Sequence, residues 1–182
     1  EYILSCMSYS KLIIPEEMIP FFRTNHAGET GAVYIYRGIL RLAKDKKLID
    51  FAMHHLETES EHLRIIENIL PYDKRSKLIG LWKIAGYLTG LIPAMLGKRF
   101  VYATIFFVES FVEKHYEDQL KFLGSGNKNL LLKKLINELK EDEVSHKDEA
   151  LSVVKRFNLF HKIWGKIVEL GSNLAVKTSK II

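Results

Sequence analysis

Six side chains in this 182-residue chain have the types and spacing to hold metal cations between helices. Glu29 shares a helical face with Ala32, Val33 and Tyr36. Glu59 lies between Leu56 and Leu63, and His62 follows it by three positions. Glu109 interrupts the apolar company of Ile105, Phe106 and Val112, while Glu143 and His146 follow Ile136 and Leu139 and precede Ala150. A buried carboxylate without a partner is costly, and a fold does not retain four of them uncompensated. One shared cation, or a pair, removes that cost for all four. Residues i and i+3 lie on one helix face, so Glu59 with His62, and Glu143 with His146, can each turn toward a single point.

The pattern is also duplicated. Each half of the chain has a lone glutamate and then, one helix later, Glu-x-x-His. A single Glu-x-x-His is weak, because helices are rich in glutamate. Two copies, each preceded by a face-matched glutamate, form the four-glutamate, two-histidine set of the ferritin-like di-iron and di-manganese bundles. Tyr36 and Tyr116 lie on these faces, and Asp142 precedes His146 by one turn. These three are candidates to support the site from behind. His54, His55 and His115 have no matched partner and read as core or surface residues, and spacing alone assigns nothing to His26, His161 or Cys6.

Four long stretches must position these groups. Apolar residues recur every three to four positions from about Asn25 to Ala43, Leu48 to Leu70, Phe100 to Leu123 and Asn129 to Phe157, with no sustained alternation of period two. Pro71 closes the second, and the Gly124-Ser125-Gly126-Asn127 run turns the chain after the third. The predicted fold is all-α: a ferritin-like four-helix bundle of two hairpins joined by a long apolar crossover, with an extra amphipathic C-terminal helix. Residues 1–19 read as an N-terminal extension, 20–182 as the bundle, 72–98 as the crossover and 160–181 as the last helix.

Two apolar segments fall outside the bundle pattern. Residues 78–96 form the longest apolar run, broken by Lys83, Pro93 and three glycines, and its charge-free part of about 14 residues is short for a bilayer span. From Phe160 onward, Phe160, Ile163, Trp164, Ile167 and Val168 alternate with Lys162, Lys166 and Glu169 as an amphipathic helix. With 47% apolar and 27% charged residues the chain is globular, not disordered. Its net charge of +5 is too small to select nucleic acid as a partner, and none is expected. The single cysteine excludes an internal disulfide and cysteine-based zinc or iron–sulfur sites. A chain beginning at Glu1 is compatible with a removed targeting segment.

With these residues in place, the sequence resembles the demethoxyubiquinone monooxygenase family of ubiquinone biosynthesis. The most specific match is Asn25-His26-Ala27-Gly28-Glu29, followed by Gly31-Ala32 and Ile35-Tyr36-Arg37-Gly38. Glu59-Ser60-Glu61-His62-Leu63, Val108-Glu109 with His115-Tyr116, Asp142-Glu143-Val144-Ser145-His146 with Asp148, and Gly171 with Ala175 continue it, so the likeness runs from about Pro20 to the end. Carried across, the family's iron ligands fall on Glu29, Glu59, His62, Glu109, Glu143 and His146. Ser110 stands where the family commonly has a second acid, and Thr30 where it usually has a bulky residue. Neither is an expected ligand, so these departures bear on substrate fit.

The resemblance implies two iron ions, O2, a prenylated quinone substrate, and NADH or another electron donor. It also implies a lipid-binding accessory protein and other pathway enzymes as partners. No Gly-x-Gly-x-x-Gly fingerprint is present, so no Rossmann-type nucleotide domain is expected. Gly28 and Gly31 would let a helix or a flat ring come close to the first helix. A single crossing by 78–96 would separate the two ligand halves. The run is therefore expected to lie in one leaflet beside the site entrance, with Trp82, Ile84, Tyr87, Leu88, Leu91 and Ile92 at the mouth. The alternative is a core crossover. Lys74, Arg75, Lys77, Lys98 and Arg99 would favour anionic headgroups. The expected location is the matrix face of the mitochondrial inner membrane, or the cytoplasmic face of a bacterial membrane. Two competing functions are iron storage or ferroxidase activity on the same fold, and non-enzymatic lipid binding.

Overall fold

The computed structural model describes Tyr9 and residues 12–126 and 128–182, so Cys6, Asn127 and most of the N-terminal extension lie outside the described residues. The described residues form six α-helices and two short 3-10 turns, without strands. The helices are α1 (Ile19–Leu42), α2 (Lys46–Ile69), α3 (Ile79–Leu96), α4 (Lys98–Leu123), α5 (Leu130–Val154) and α6 (Leu159–Ser179). Helix α1 pairs with α2, and α4 with α5; α3 lies along α1, and α6 packs against α4 and α1.

Local chemistry sets the ends. α1 starts six residues before the expected Asn25, because Pro20 occupies the first turn, where its missing N–H costs nothing. The Asp45 side chain accepts from the Leu48 amide and caps α2, and Leu70 turns extended ahead of Pro71. Gly97 and Gly124, at φ 109° and 66°, break the chain before and after α4. Asn158 and His161 cap α6 reciprocally.

The apolar core comes in two clusters, one at each end of the bundle. Phe22, Ile66, Leu135, Ile136 and Leu139 gather at one end; Ile39, Phe51, Ala52, Ile105 and Val154 gather at the other. The buried acids and their histidines occupy the layer between, so each end of that layer is closed by packed hydrocarbon.

The run at 78–96, expected to differ from a bundle helix, forms one continuous helix from Ile79 to Leu96, with Pro93 in its last turn. Its glycines are the contact surface with α1. A Cβ on Gly86 would collide with the Gly31 carbonyl, one on Gly90 with that of Ile35, and one on Gly38 with that of Tyr87. Leu81, Ile84, Leu88, Ile92 and Met95 remain exposed on the other side. By length and composition α3 could cross a membrane. The flanking cations are less free than expected: Lys98 pairs with Asp45 at 2.8 Å, Arg75 binds Glu67, and Arg99 donates to the carbonyls of Val154 and Arg156 at the end of α5.

Candidate metal centre

Glu29 of α1, Glu59 and His62 of α2, Glu109 of α4, and Glu143 and His146 of α5 are all buried in the middle layer of the bundle. They fall into two overlapping quartets. One is Glu29, Glu59, His62 and Glu143; the other is Glu59, Glu109, Glu143 and His146. Within each quartet one donor atom per residue lies within 4.8 Å of every other. Glu59 and Glu143 belong to both. Two carboxylates shared by two adjacent sets are the arrangement that bridges a pair of cations.

The donor atoms lack other occupation. Both oxygens of Glu59, Oε2 of Glu143, and the Nδ1 atoms of His62 and His146 are buried without a hydrogen-bond partner. His146 Nδ1 faces Glu59 Oε1 at 3.1 Å, and His62 Nδ1 faces Glu143 Oε1 at 3.3 Å. Orphaned buried polar atoms of this kind need compensation. An all-nitrogen and oxygen set rich in carboxylate is what hard divalent cations take. These residues therefore fit a metal pair.

Electrostatics within the metal-free cluster follow from burial and crowding. Burial pushes the Glu29 carboxyl up to about 8, against the pull of His62. Burial, reinforced by Glu143 and Glu59, raises Glu109 well above the ordinary carboxylate range. Burial would raise Glu59 too, but His146 and His62 beside it override that and hold it low. His146 is held up to about 11: burial opposes its charge, and Glu143 and Glu59 overcome it. In this state protons on the cluster do the work that cations would do.

The supporting residues are arranged in a cross-over. Tyr36 of α1 donates to Glu109 of α4 at 3.3 Å, and Tyr116 of α4 donates to Glu29 of α1. Each outer glutamate is thus held by a phenol from the other half, and Glu-x6-Tyr in both α1 and α4 was the sequence signal for it. Burial raises both phenols well above their usual range, so they stay protonated donors. Asp142, expected near His146 of its own helix, instead meets His62 Nε2 at 3.0 Å across the bundle. His146 has a different neighbour. The His55 ring stands edge-on to it with centroids 4.0 Å apart, and is itself tied to Glu149 at 2.9 Å. Spacing alone gave His55 no role.

A family model for ubiquinone biosynthesis protein COQ7 matches residues 16–179. The chain belongs to the COQ7 family. A Dictyostelium discoideum relative, a mitochondrial NADPH-dependent 3-demethoxyubiquinone 3-hydroxylase, is 29% identical over 158 residues, covering 85% of this chain and 72% of its own. A 3-demethoxyubiquinol 3-hydroxylase of Rhodospirillum rubrum is 30% identical over 164 residues, covering 88% and 76%. The Caenorhabditis elegans NADPH-dependent enzyme is 32% identical over 138 residues, covering 71% of each chain. Where the reductant is named in these relatives it is NADPH.

A cavity of about 310 Å³ opens onto the centre of this COQ7-family chain. Glu29, Glu59, Glu109 and Glu143 form its polar end, and its walls come from α1, α3, α4 and α6. Of the six residues expected at the mouth, Trp82 lines the cavity; Tyr87 and Leu91 are half-buried, and Ile84, Leu88 and Ile92 face outward. Gly28 lines it with open space where a side chain would be. The opposite wall is α6, through Trp164, Val168, Gly171 and Ala175. Amphipathic spacing marked α6 as an extra C-terminal helix outside the bundle pattern and did not reveal this wall. Its signal was the run of small residues between the apolar ones. A second groove of about 600 Å³ runs between α4 and α6, with Lys114, Lys162, Lys166 and Lys180 on its sides, and shares Phe111, His115 and Val176 with the first.

Proposed function

We propose that this chain is a di-iron monooxygenase that hydroxylates the ring of a demethoxyubiquinone in ubiquinone biosynthesis. The observation that carries it is a pair of carboxylates, Glu59 and Glu143, common to two donor quartets at the closed end of an apolar cavity in a COQ7-family chain. Glu29, Glu59, His62, Glu109, Glu143 and His146 would hold the iron, Glu59 and Glu143 being common to both donor sets. Iron bound there supplies the activation of O2, one atom of which enters the ring. The chain's own groups prepare for that. Tyr116 and Tyr36 each hold one oxygen of an outer glutamate, leaving the other oxygen to the cation. Asp142 binds Nε2 of His62 and so aims its Nδ1 lone pair inward. The packed apolar layers at both ends exclude water, and the open space at Gly28 admits a flat ring.

Two electrons come from outside, and NADPH is the donor suggested by the relatives' names. The four lysines along the α4–α6 groove give an anionic dinucleotide a place beside the cavity. The prenyl tail partitions into lipid, so the chain works as a peripheral membrane protein. α3 exposes one apolar stripe, and α6 exposes another through Phe160, Ile163, Ile167, Leu170 and Leu174. Both helices wall the cavity, so a substrate can pass from lipid to the centre between them. α3 does not span the bilayer, because helices on both sides of it in sequence contribute to one cluster. The setting is the matrix face of the mitochondrial inner membrane or the cytoplasmic face of a bacterial one. A lipid-binding accessory protein and other pathway enzymes are the partners that the family resemblance implies.

The test is complementation of a strain lacking this hydroxylation. The chain should clear the demethoxy precursor, and Glu59→Ala and His146→Ala should not. Persistent precursor despite folded, iron-loaded protein overturns the proposal. Unchanged iron content in both variants would favour a non-enzymatic lipid-binding protein, and cage-sized assembly would favour iron storage.

A further inference from the structure

The two helices that face each other across the cavity, α3 and α6, each pack on α1 but not extensively on one another. Their spacing is therefore set by what fixes their ends. At one end Arg23 of α1 does this. It donates from Nε to the Lys74 carbonyl at 2.7 Å and from Nη1 to the Lys180 carbonyl at 3.3 Å. Lys74 lies in the turn that leads into α3, and Lys180 directly follows α6. Close by, the Lys77 amide donates to the Ile182 carbonyl at 2.8 Å, so the two segments also meet directly. Ser179 is 1% exposed, so this end of α6 is packed into the molecule rather than frayed.

Each clasped segment carries a wall of the cavity. On the α3 side, the buried Ser76 hydroxyl accepts from the Leu78 amide and from Trp82 Nε1, the latter at 3.2 Å. The indole that lines the cavity thus hangs from the clasped turn. On the α6 side, Ala175 and Val176 line the cavity in the last two turns before Lys180. Arg75 fastens the same turn to α2 instead, through the carbonyls of Glu67 and Leu70.

We propose that Arg23 is a positioning residue for the reaction: its guanidinium clasps the ends of α3 and α6 together, and so fixes the width of the slot between them and the seat of Trp82 in it. The clasp stands on these contacts, and only its bearing on turnover rests on the hydroxylase reading above. A guanidinium is suited to the task. Its planar fork holds two acceptors from different segments in fixed directions, whereas lysine is a point charge on a flexible stem.

The experiment compares Arg23→Met with the unaltered full chain, loaded with iron. Amide hydrogen exchange should quicken about tenfold in residues 72–78 and 176–182 together. The Leu70 amide, bonded to Ile66 at the end of α2, should keep its protection. In a Trp164→Phe background, acrylamide should quench Trp82 more readily. KM for the demethoxy quinone should rise about tenfold, with kcat and iron content held within about twofold. Arg23→Lys keeps the charge without the fork and should move the same readouts in the same direction; it decides the matter if the methionine variant does not fold. Faster exchange in one segment alone or throughout the chain, or unchanged shielding of Trp82, overturns the clasp. Released ends with an unchanged KM overturn its positioning role. No turnover by the unaltered chain overturns the hydroxylase reading instead, and exchange and quenching still decide the clasp.

Discussion

The two halves of the bundle offer the same donors but support them differently. On the Glu29/His62 side, support is polar: Tyr116 holds Glu29 and the half-exposed Asp142 holds His62. On the Glu109/His146 side it is packing: Tyr36 reaches Glu109 at a longer 3.3 Å, and the His55 ring braces His146. The outer covers differ in the same sense. α3 seals the first half by backbone approach through glycines, whereas on the second Gly165 of α6 lies against the Phe107 ring, 2.8 Å from where a Cβ would be. Duplicated candidate ligands thus sit in unequal surroundings, and the first half is the better defined by hydrogen bonds.

The largest test of this comparison removes a shared against an unshared group. Glu59→Ala should abolish binding of both cations, while Glu29→Ala should leave one; metal analysis by emission spectrometry reads the difference. If Glu29→Ala loses both, the quartets are not separable.

Next in size is the α3 seal. Gly90→Val drives a side chain into the Ile35 backbone and should cost about 3 kcal/mol in chemical unfolding. Gly171→Ala on α6 meets nothing within 4 Å and should be neutral or stabilising by about 0.5 kcal/mol.

The third is pH. In the metal-free chain, burial lifts Glu29 to about 8, and the carboxylates around His146, against its burial, lift it to about 11. Both are protonated at neutral pH and must lose that proton to become ligands. Cation uptake should therefore release protons, and affinity should rise with pH. Both folded values lie above the unfolded ones. Their stabilisation of the metal-free fold is thus complete below the ordinary values and is lost as pH rises through about 8 and then about 11. Thermal melts should show the metal-free chain weakening toward alkaline pH while the metal-loaded chain does not.

The smallest effect separates the two kinds of support. Asp142→Asn should weaken the cation on the His62 side by roughly tenfold. His55→Leu should act on the His146 side alone, visible as a change in only one step of a two-step cobalt titration.

Much of this was legible before any coordinates. The 3.6-residue period located the four bundle helices, because an amphipathic stripe must face a core. Acids within that stripe marked the centre, since only a compensating partner makes such burial tolerable. Other features were hidden. The glycines and Pro93 of residues 78–96 read as interruptions, yet the glycines are what allow α3 to lie against α1. Asp142 was one turn from His146 in sequence and turned out to face His62. His55 had no spacing partner because its partner is on another helix.

Which side chains are chemically unusual is a property of residue type and helical period, both local along the chain. That much the sequence determined alone: six candidate donors, four carrying helices, and two families of apolar surface. Which carboxylates are shared, which tyrosine meets which glutamate, and which helix closes the cavity depend on the rotation and offset between helices. Those are fixed by close packing of complete surfaces, where one glycine or one ring sets the distance. Only the tertiary structure could decide them.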